Sequence, residues 1–313
     1  MKEVYFYMMV GLQGAGKTYI ANKNSNENII HISSDSIRKK LYGSELDQEH
    51  NKEVFKVMNQ RTKEYLKNGF SVIYDATNIN SKRRRTFLNE LNGIDCKKVC
   101  LYIPSTPSGS FIRQLERERA VDVEIIDKTY KNLQIPMYHE GWDNIVILKR
   151  PSYLLGRINL KDIKTYYDYE RFLLEYNLKE CVDFAQDNQY HTLSVSRHMY
   201  YAFNNIKNNT NNESLQLATM LHDIGKPYCK NFKEGSKYAN FYGHENVGAQ
   251  MVVELLLGMK YSDDEIIKIA TYVQLHMRLL NSSEKGREKL KRLLGADLYL
   301  DLILLKNADT SAK

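Results

Sequence analysis

The chain has 313 residues, 42% hydrophobic and 27% charged, with 45 Lys and Arg against 38 Asp and Glu for a net charge of +7. That length predicts two domains, each able to bury a core without disulfides or a structural metal, and the composition excludes a wholly disordered chain. No stretch approaches ~18 uncharged apolar residues, so neither a transmembrane helix nor a membrane partner is expected, and the mild basic excess suits either an anionic partner or an ordinary surface.

The first half alternates between two periods. Residues 4–10 (VYFYMMV), 29–33 (IIHIS), 70–75 (FSVIYD), 98–103 (KVCLYI) and 145–149 (IVILK) read as strands, with helices after Lys17 and over 51–67. Short apolar runs between helical segments predict a parallel sheet covered by helices on both faces. The pattern changes at Arg150-Pro151. Beyond it, residues 170–186, 191–207, 214–222, 244–258, 263–276 and 287–306 carry helix-period apolar residues, and no strand series is evident. The expected organisation is an α/β domain over 1–150 and an all-α domain over 151–313, with 151–185 as linker and leading helix. The start of the chain lacks the layout of a signal peptide, and Cys96, Cys100, Cys181 and Cys229 form no disulfide framework. A reducing, cytoplasmic compartment is the expectation.

The strongest local signal is GLQGAGKT, Gly11 to Thr18, after a strand and opening a helix. Gly11, Gly14 and Gly16 let backbone N–H groups turn inward around phosphates, and the helix N-terminus adds a positive dipole end. Lys17 supplies a charge at the β- and γ-phosphates and Thr18 a hydroxyl for Mg²⁺. ATP or another nucleoside triphosphate with Mg²⁺ is the implied cofactor.

Asp35 and Arg38 follow the second strand in SSDSIRKK, where an acidic base can meet an acceptor hydroxyl. The competing reading makes Asp35 a helix N-terminal residue and Arg38 a solvated charge. Asp75, Thr77 and Asn78 follow the third strand in YDATNIN, at the strand end that faces a ligand crevice, or in simple turn chemistry. The run Lys82-Arg83-Arg84-Arg85 is either a contact for a polyanionic acceptor or an exposed helix face. Arg113, Arg117 and Arg119 belong to an arginine-rich helix suited to neutralising a phosphoryl group in transit, with ion pairing to Glu116 and Glu118 as the alternative.

In this order, GLQGAGKT, SSDSIRKK, YDATNIN and the segment ERERAVDVEIIDKTYKNLQIPMYHEGWDNIVIL resemble phage-type polynucleotide 5′-kinases over roughly residues 1–150. The resemblance implies that Lys17 and Thr18 bind the triphosphate and Mg²⁺. It implies Asp35 as general base on a 5′-hydroxyl, Arg38 on the acceptor's phosphate and Asp75 in organising the acceptor site. Arg117 or Arg119 would contact ATP from a lid.

The second half carries His191, the doublet His222-Asp223, His244, His276 and Asp309, each in a helical or helix-edge context. Imidazoles and carboxylates together suit a mid-row divalent metal. His31, His50 and His139 read as ordinary core or surface histidines. The segments YHTLSVSRH, MLHDIGKP, YGHENVGA and LHMR resemble the HD phosphohydrolase superfamily, and in particular the HD domains of some bacterial CCA-adding enzymes, over roughly 185–313. The resemblance implies a metal site of His191, His222, Asp223 and Asp309, widened by His244 and His276 to a two-metal site bridged by Asp223. Lys226 would face the scissile phosphate. His198, one heptad after His191, is the rival first ligand, and Asp309, four residues from the end, serves only if the last helix docks.

Joined, the two activities would heal broken RNA or tRNA ends. A kinase would phosphorylate 5′-hydroxyls, and a metal-dependent phosphoesterase would remove 2′,3′-cyclic, 2′- or 3′-phosphates, leaving termini for an RNA ligase. The alternatives are a small-molecule or nucleoside kinase fused to an HD nucleotide phosphohydrolase, and a nucleotide-binding regulatory module with an inactive HD site.

Overall fold

The computed structural model describes residues 3–115, 121–149, 151–152, 154–190, 192–280 and 282–312. The chain divides into two compact units, one ending at Lys149 and the other beginning at residue 150.

In the first unit, β1 (Tyr5–Val10), β2 (Ile29–Ser33), β3 (Ser71–Asp75), β4 (Lys97–Tyr102) and β5 (Asn144–Ile147) pair only in parallel, in the order β2-β3-β1-β4-β5. Helices α1 (Lys17–Asn24), α2 (Ser34–Tyr42), α3 (Asn51–Lys67), α4 (Ser81–Glu90), α5 (Pro107–Leu115) and α6 (Val123–Asn132) fill the connections. Every residue of β3 is buried, and so are Phe6, Met8, Met9 and Val10 of β1. This is why these strands read as apolar runs rather than alternating ones. Each such side chain contributes about 1.5–3 kcal/mol by leaving water. The arrangement places the C-terminal ends of β1 and β3 side by side, with Gly11 N donating to the Thr77 carbonyl at 3.2 Å.

The second unit holds α7 (Tyr166–Glu175), α8 (Val195–Lys207), α9 (Glu213–Leu221), α10 (Lys226–Cys229), α11 (His244–Leu257), α12 (Asp263–Leu275), α13 (Glu284–Leu294) and α14 (Ala296–Ser311). Helices α8, α9, α12 and α11 pack in series, and α14 packs on α8. Three expectations are corrected. The helix expected over 170–186 starts earlier, at a Thr165–Asp168 capping box, and stops at Glu175 before Asn177 turns to φ 56°. The helix expected over 287–306 is two helices, because Gly295 takes φ 81°. A two-stranded antiparallel hairpin, β6 (Asn231–Phe232) with β7 (Ala239–Asn240), interrupts the helices; strands of two residues are too short to show a period. Among the described residues no helix is long and apolar enough to cross a membrane.

Candidate phosphate cradle and metal centre

The loop Gly11–Thr18 joins β1 to α1 as a tight cup. Gly14, at φ 76°, comes so close to α5 that an added Cβ would stand 2.4 Å from the Ser110 carbonyl oxygen. No other residue fits there. Lys17 is 8% exposed, and its Nζ donates to the carbonyls of Gly11 at 3.1 Å and Leu12 at 2.7 Å, so the ammonium lies across the cup's mouth. Thr18 Oγ1 donates to Asp75 Oδ2 at 2.8 Å, and His31 Nε2 lies 3.0 Å from the same oxygen.

Asp75, 3% exposed, is held by the hydroxyl of Thr18 and by His31. The pair Thr18 and Asp75 is the oxygen-rich set that suits Mg²⁺ beside the phosphates. Asn78, at φ 49°, donates its amide to Met9 O at 2.7 Å and Ala76 O at 3.3 Å. Thr77 contributes its backbone carbonyl to the cup.

Asp35 sits in the first turn of α2, after the Ser33 cap. Its side chain is 61% exposed and accepts from Arg38 Nη1 at 2.7 Å. Arg38 is 7% exposed, and its Nη2 donates to Asn51 Oδ1 at 2.7 Å, while Nε has no partner among the described residues. A fixed guanidinium and a solvent-facing carboxylate thus stand one turn apart on α2. The basic run resolves toward structure. Arg84, 1% exposed, gives Nε and Nη2 to Glu140 at 2.7 and 2.5 Å and its remaining donors to the carbonyls of Asn78, Gln134 and Ile135.

Arg113 reaches the cradle from α5, its Nε donating to Gly14 O at 2.8 Å. Arg117 and Arg119 lie outside the described residues. Lys149, not singled out from the sequence, donates from Nζ to the Ala15 carbonyl. Burial, then the charge of Arg113, lowers its pKa. Its place just beyond a C-terminal strand end is the signal that marks it.

In the second unit four imidazoles converge. His222 follows α9, His276 follows α12, His244 opens α11 and His198 lies on α8. His222, His244 and His276 each present Nδ1 to the carbonyl three residues earlier, of Thr219, Phe241 and Val273, at 2.7–2.8 Å, and His198 Nδ1 meets Ala312 O at 2.6 Å. A carbonyl only accepts, so Nδ1 carries the proton in all four rings. In the neutral form of each ring the Nε2 lone pair therefore points inward.

Those lone pairs face one another. His198 and His222 meet Nε2 to Nε2 at 3.2 Å, and His244 and His276 do likewise at 3.2 Å. Neither pair is a satisfied hydrogen bond between neutral rings. Asp223, 2% exposed, turns Oδ2 toward the first pair at 3.4 and 3.3 Å and Oδ1 toward the second at 3.3 and 3.6 Å. Asp309 Oδ1 stands 3.0 Å from His198 and 3.7 Å from His222. Metal–ligand bonds of about 2.0–2.1 Å set neighbouring ligand atoms roughly 3.0–3.4 Å apart, so this donor set fits one divalent ion per histidine pair.

The electrostatics agree. Burial presses the His222 imidazole toward neutrality, but Asp223 and Asp309 outweigh it and push its pKa up to about 10. Burial alone would raise the Asp223 carboxyl, yet Lys226 and the histidines hold it well below the usual carboxylate range. Burial and the neighbouring imidazoles lower His276. The centre calls for positive charge that its rings cannot all supply as protons. Lys226, 6% exposed, places Nζ 2.6 Å from Asp223 Oδ2.

Among the described residues the first histidine of the cluster is His198. His198 fills the position for which the sequence favoured His191, because α8 packs on both α9 and α14 at that level. His191 lies outside the described residues. Asp309 is 6% exposed inside α14, whose end is held by the bond from His198 to Ala312, so the Asp309 carboxylate is not on a frayed end. Gly225 allows the turn after His222 to press against α11. A Cβ there would stand 2.3 Å from the His244 carbonyl oxygen.

A parallel-sheet unit with a phosphate cup is thus followed by a helical unit with a His/Asp centre. Residues 6–136 match the family described as AAA domain, and residues 188–312 match the HD domain. The chain joins a P-loop kinase-like domain to a C-terminal HD domain. It is 26% identical over 209 residues to the A-adding tRNA nucleotidyltransferase of Deinococcus radiodurans, covering 65% of this chain and 46% of that protein. It is 31% identical over 97 residues to the CC-adding tRNA nucleotidyltransferase of Thermus thermophilus, 31% of this chain and 22% of the relative. It is 32% identical over 85 residues to the L-seryl-tRNA(Sec) kinase of Methanococcus maripaludis, 27% and 33% respectively. The chain spans less than half the length of each of these relatives.

Proposed function

We propose that this protein repairs broken RNA from both sides of the break. The first unit phosphorylates a 5′-hydroxyl, and the second removes a 2′,3′-cyclic, 2′- or 3′-phosphate. The observation that carries the reading is the coexistence in one chain of two phosphate chemistries, a kinase cradle with an exposed carboxylate at Asp35 and a centre of four histidines and two carboxylates. That the relatives are named for acting on tRNA supports an RNA substrate.

In the kinase step, Lys17, the loop N–H groups and Arg113 neutralise the phosphates, with Thr18 and Asp75 arranged for Mg²⁺. Asp35 takes the proton of the acceptor hydroxyl, and Arg38, fixed by Asn51, holds the acceptor's phosphate. In the second step a divalent ion, when bound, supplies an activated water and charge neutralisation at phosphorus. The chain's part is to hold the ions through His198, His222, His244, His276, Asp223 and Asp309, and to present the Lys226 ammonium to the phosphate. Soluble, reducing surroundings and a ligase acting on the products belong to the same proposal.

The test is one RNA with a 5′-hydroxyl and a 2′,3′-cyclic phosphate, incubated with ATP, Mg²⁺ and Mn²⁺. Both ends should change. If neither does, the proposal fails. A kinase acting on small molecules would phosphorylate a nucleoside with little response to salt, whereas phosphate contacts to RNA make the rate fall steeply as salt rises.

A further inference from the structure

Beside the histidine centre lies a cavity of about 470 Å³, lined among others by Asp183, Gln186, Asn188, Ser194, Lys237 and Tyr238. It is tied to the centre through two bonds. Gln186, 3% exposed, accepts from Lys226 Nζ at 2.7 Å, and that ammonium is the one 2.6 Å from Asp223. Two buried side chains, Gln186 on the cavity wall and Lys226 behind it, therefore stand in line between the cavity and the carboxylate shared by the two histidine pairs. The walls are fixed. Ala239 N of β7 donates to Asp187 O at 2.8 Å, Lys230 Nζ donates to Ala185 O at 2.7 Å and Asp187 Oδ2 at 2.5 Å, and Gln186 Nε2 donates to Leu193 O at 3.1 Å.

We infer that this cavity holds the terminal nucleoside whose phosphate lies at Lys226, with its base against Tyr238. The inference rests on reading the second unit as a phosphoesterase. Three properties of the cavity support it. Sites for one small molecule run to about 300–1,000 Å³, so the volume suits a single nucleoside and not a length of strand. The lining amides and hydroxyls match the polar edges of a base, and the Tyr238 ring, 43% exposed with Lys237 Nζ 5.2 Å from its centroid, offers its remaining face for stacking. Asp187, paired with Lys230, and Asp183, paired with Arg197, keep carboxylate oxygens on the wall that can accept hydrogen bonds from ribose hydroxyls.

The experiment compares two substrates on the full chain with Mn²⁺, uridine 2′,3′-cyclic monophosphate and bis(p-nitrophenyl) phosphate, which has no base or ribose. Tyr238→Ala should lower the ratio of their kcat/KM values, nucleotide over nitrophenyl, by about tenfold, since a stacked base contributes on that order. Tyr238→Phe, which keeps the ring, should restore the ratio. An unchanged ratio in Tyr238→Ala overturns the inference while leaving the phosphoesterase reading intact. If the parent protein hydrolyses neither substrate, that reading fails first, and binding of uridine 3′-monophosphate by calorimetry decides the cavity. Tyr238→Ala should then bind about tenfold more weakly, and equal affinity overturns the inference.

Discussion

Thr18 and Asp75 are bonded across 2.8 Å, joining the first turn of α1 to the last residue of β3. The link commits Asp75 to the phosphate side of the first unit, and His31 on β2 braces the same carboxylate oxygen at 3.0 Å. A partner one shell out from a metal ligand sets that ligand's orientation, and its loss commonly costs metal affinity more than anything else. His31→Ala should therefore raise the Mg²⁺ concentration for half-maximal kinase activity by about tenfold, with a smaller change in kcat at saturating Mg²⁺. His31→Gln can donate to the same oxygen and should recover most of the loss. A Mg²⁺ titration of the kinase rate in the three proteins checks this, and an unaltered Mg²⁺ dependence in His31→Ala would remove the positioning role.

The two chemistries belong to separate compact units, so their variants should separate. Lys17→Ala or Asp35→Ala should lower 5′-phosphorylation by at least about a hundredfold and leave phosphate release at the other end running. Asp223→Ala should do the reverse. Loss of kinase activity in a folded Asp223→Ala protein would contradict the independence of the units.

Much of the first unit is legible because its signals are local. A fully buried parallel strand such as β3 shows as an apolar run, and Gly14 is fixed by its contact with the Ser110 carbonyl. The contacts that local pattern does not show are those made by distant pairing. Arg84 belongs to a run of four basic residues, yet only its partner Glu140, 56 positions on, makes it a core residue. Asp75 and Asn78 share one turn, and only the fold shows that both face the cradle's own framework. In the second unit His191 and His198 are equivalent by helical spacing. The packing of α8 against α14 is what brings His198 to Asp309.

That choice predicts metal content. After dialysis against Mn²⁺ and removal of the excess, the protein should hold two ions per chain. Asp223→Ala should lose both, because each of its oxygens faces one histidine pair. Asp309→Ala and His198→Ala should each weaken one, and His191→Ala neither. Elemental analysis gives the count. Chelation should lower Tm, since occupancy at a hundred times Kd stabilises by about 2.7 kcal/mol. Full metal retention in His198→Ala would return the first ligand to His191.

Arg84 and Glu140 are 1% and 2% exposed, and every guanidinium donor is engaged. Arg84→Met removes the charge partner of a buried carboxylate, which keeps the Trp142 Nε1 donor at 3.2 Å, and takes one donor from each of three carbonyls. It should cost about 3–5 kcal/mol in urea unfolding of the first unit. Arg84→Met combined with Glu140→Leu should cost less than the two singles added together, because the stranded charge is gone. Additive losses would mean that the pair acts through packing alone.

Glu254 on α11 supplies the pH dependence. Burial pushes its carboxyl up to about 7 from an ordinary value of 4.5. As pH rises past the lower value, the unfolded chain releases this proton while the folded chain retains it, so the folded state binds more protons and stability falls with pH. The contribution is complete below about 4.5 and lost once pH passes about 7. Glu254→Gln keeps a neutral side chain of the same shape at every pH. It should be more stable than the parent at pH 8 by about 1–3 kcal/mol, the full shift being discounted for the residue's partial exposure, and the two should converge near pH 4.5. Parallel stability curves for the two proteins between pH 4.5 and 8 would show that this carboxyl titrates alike in the folded and unfolded chain.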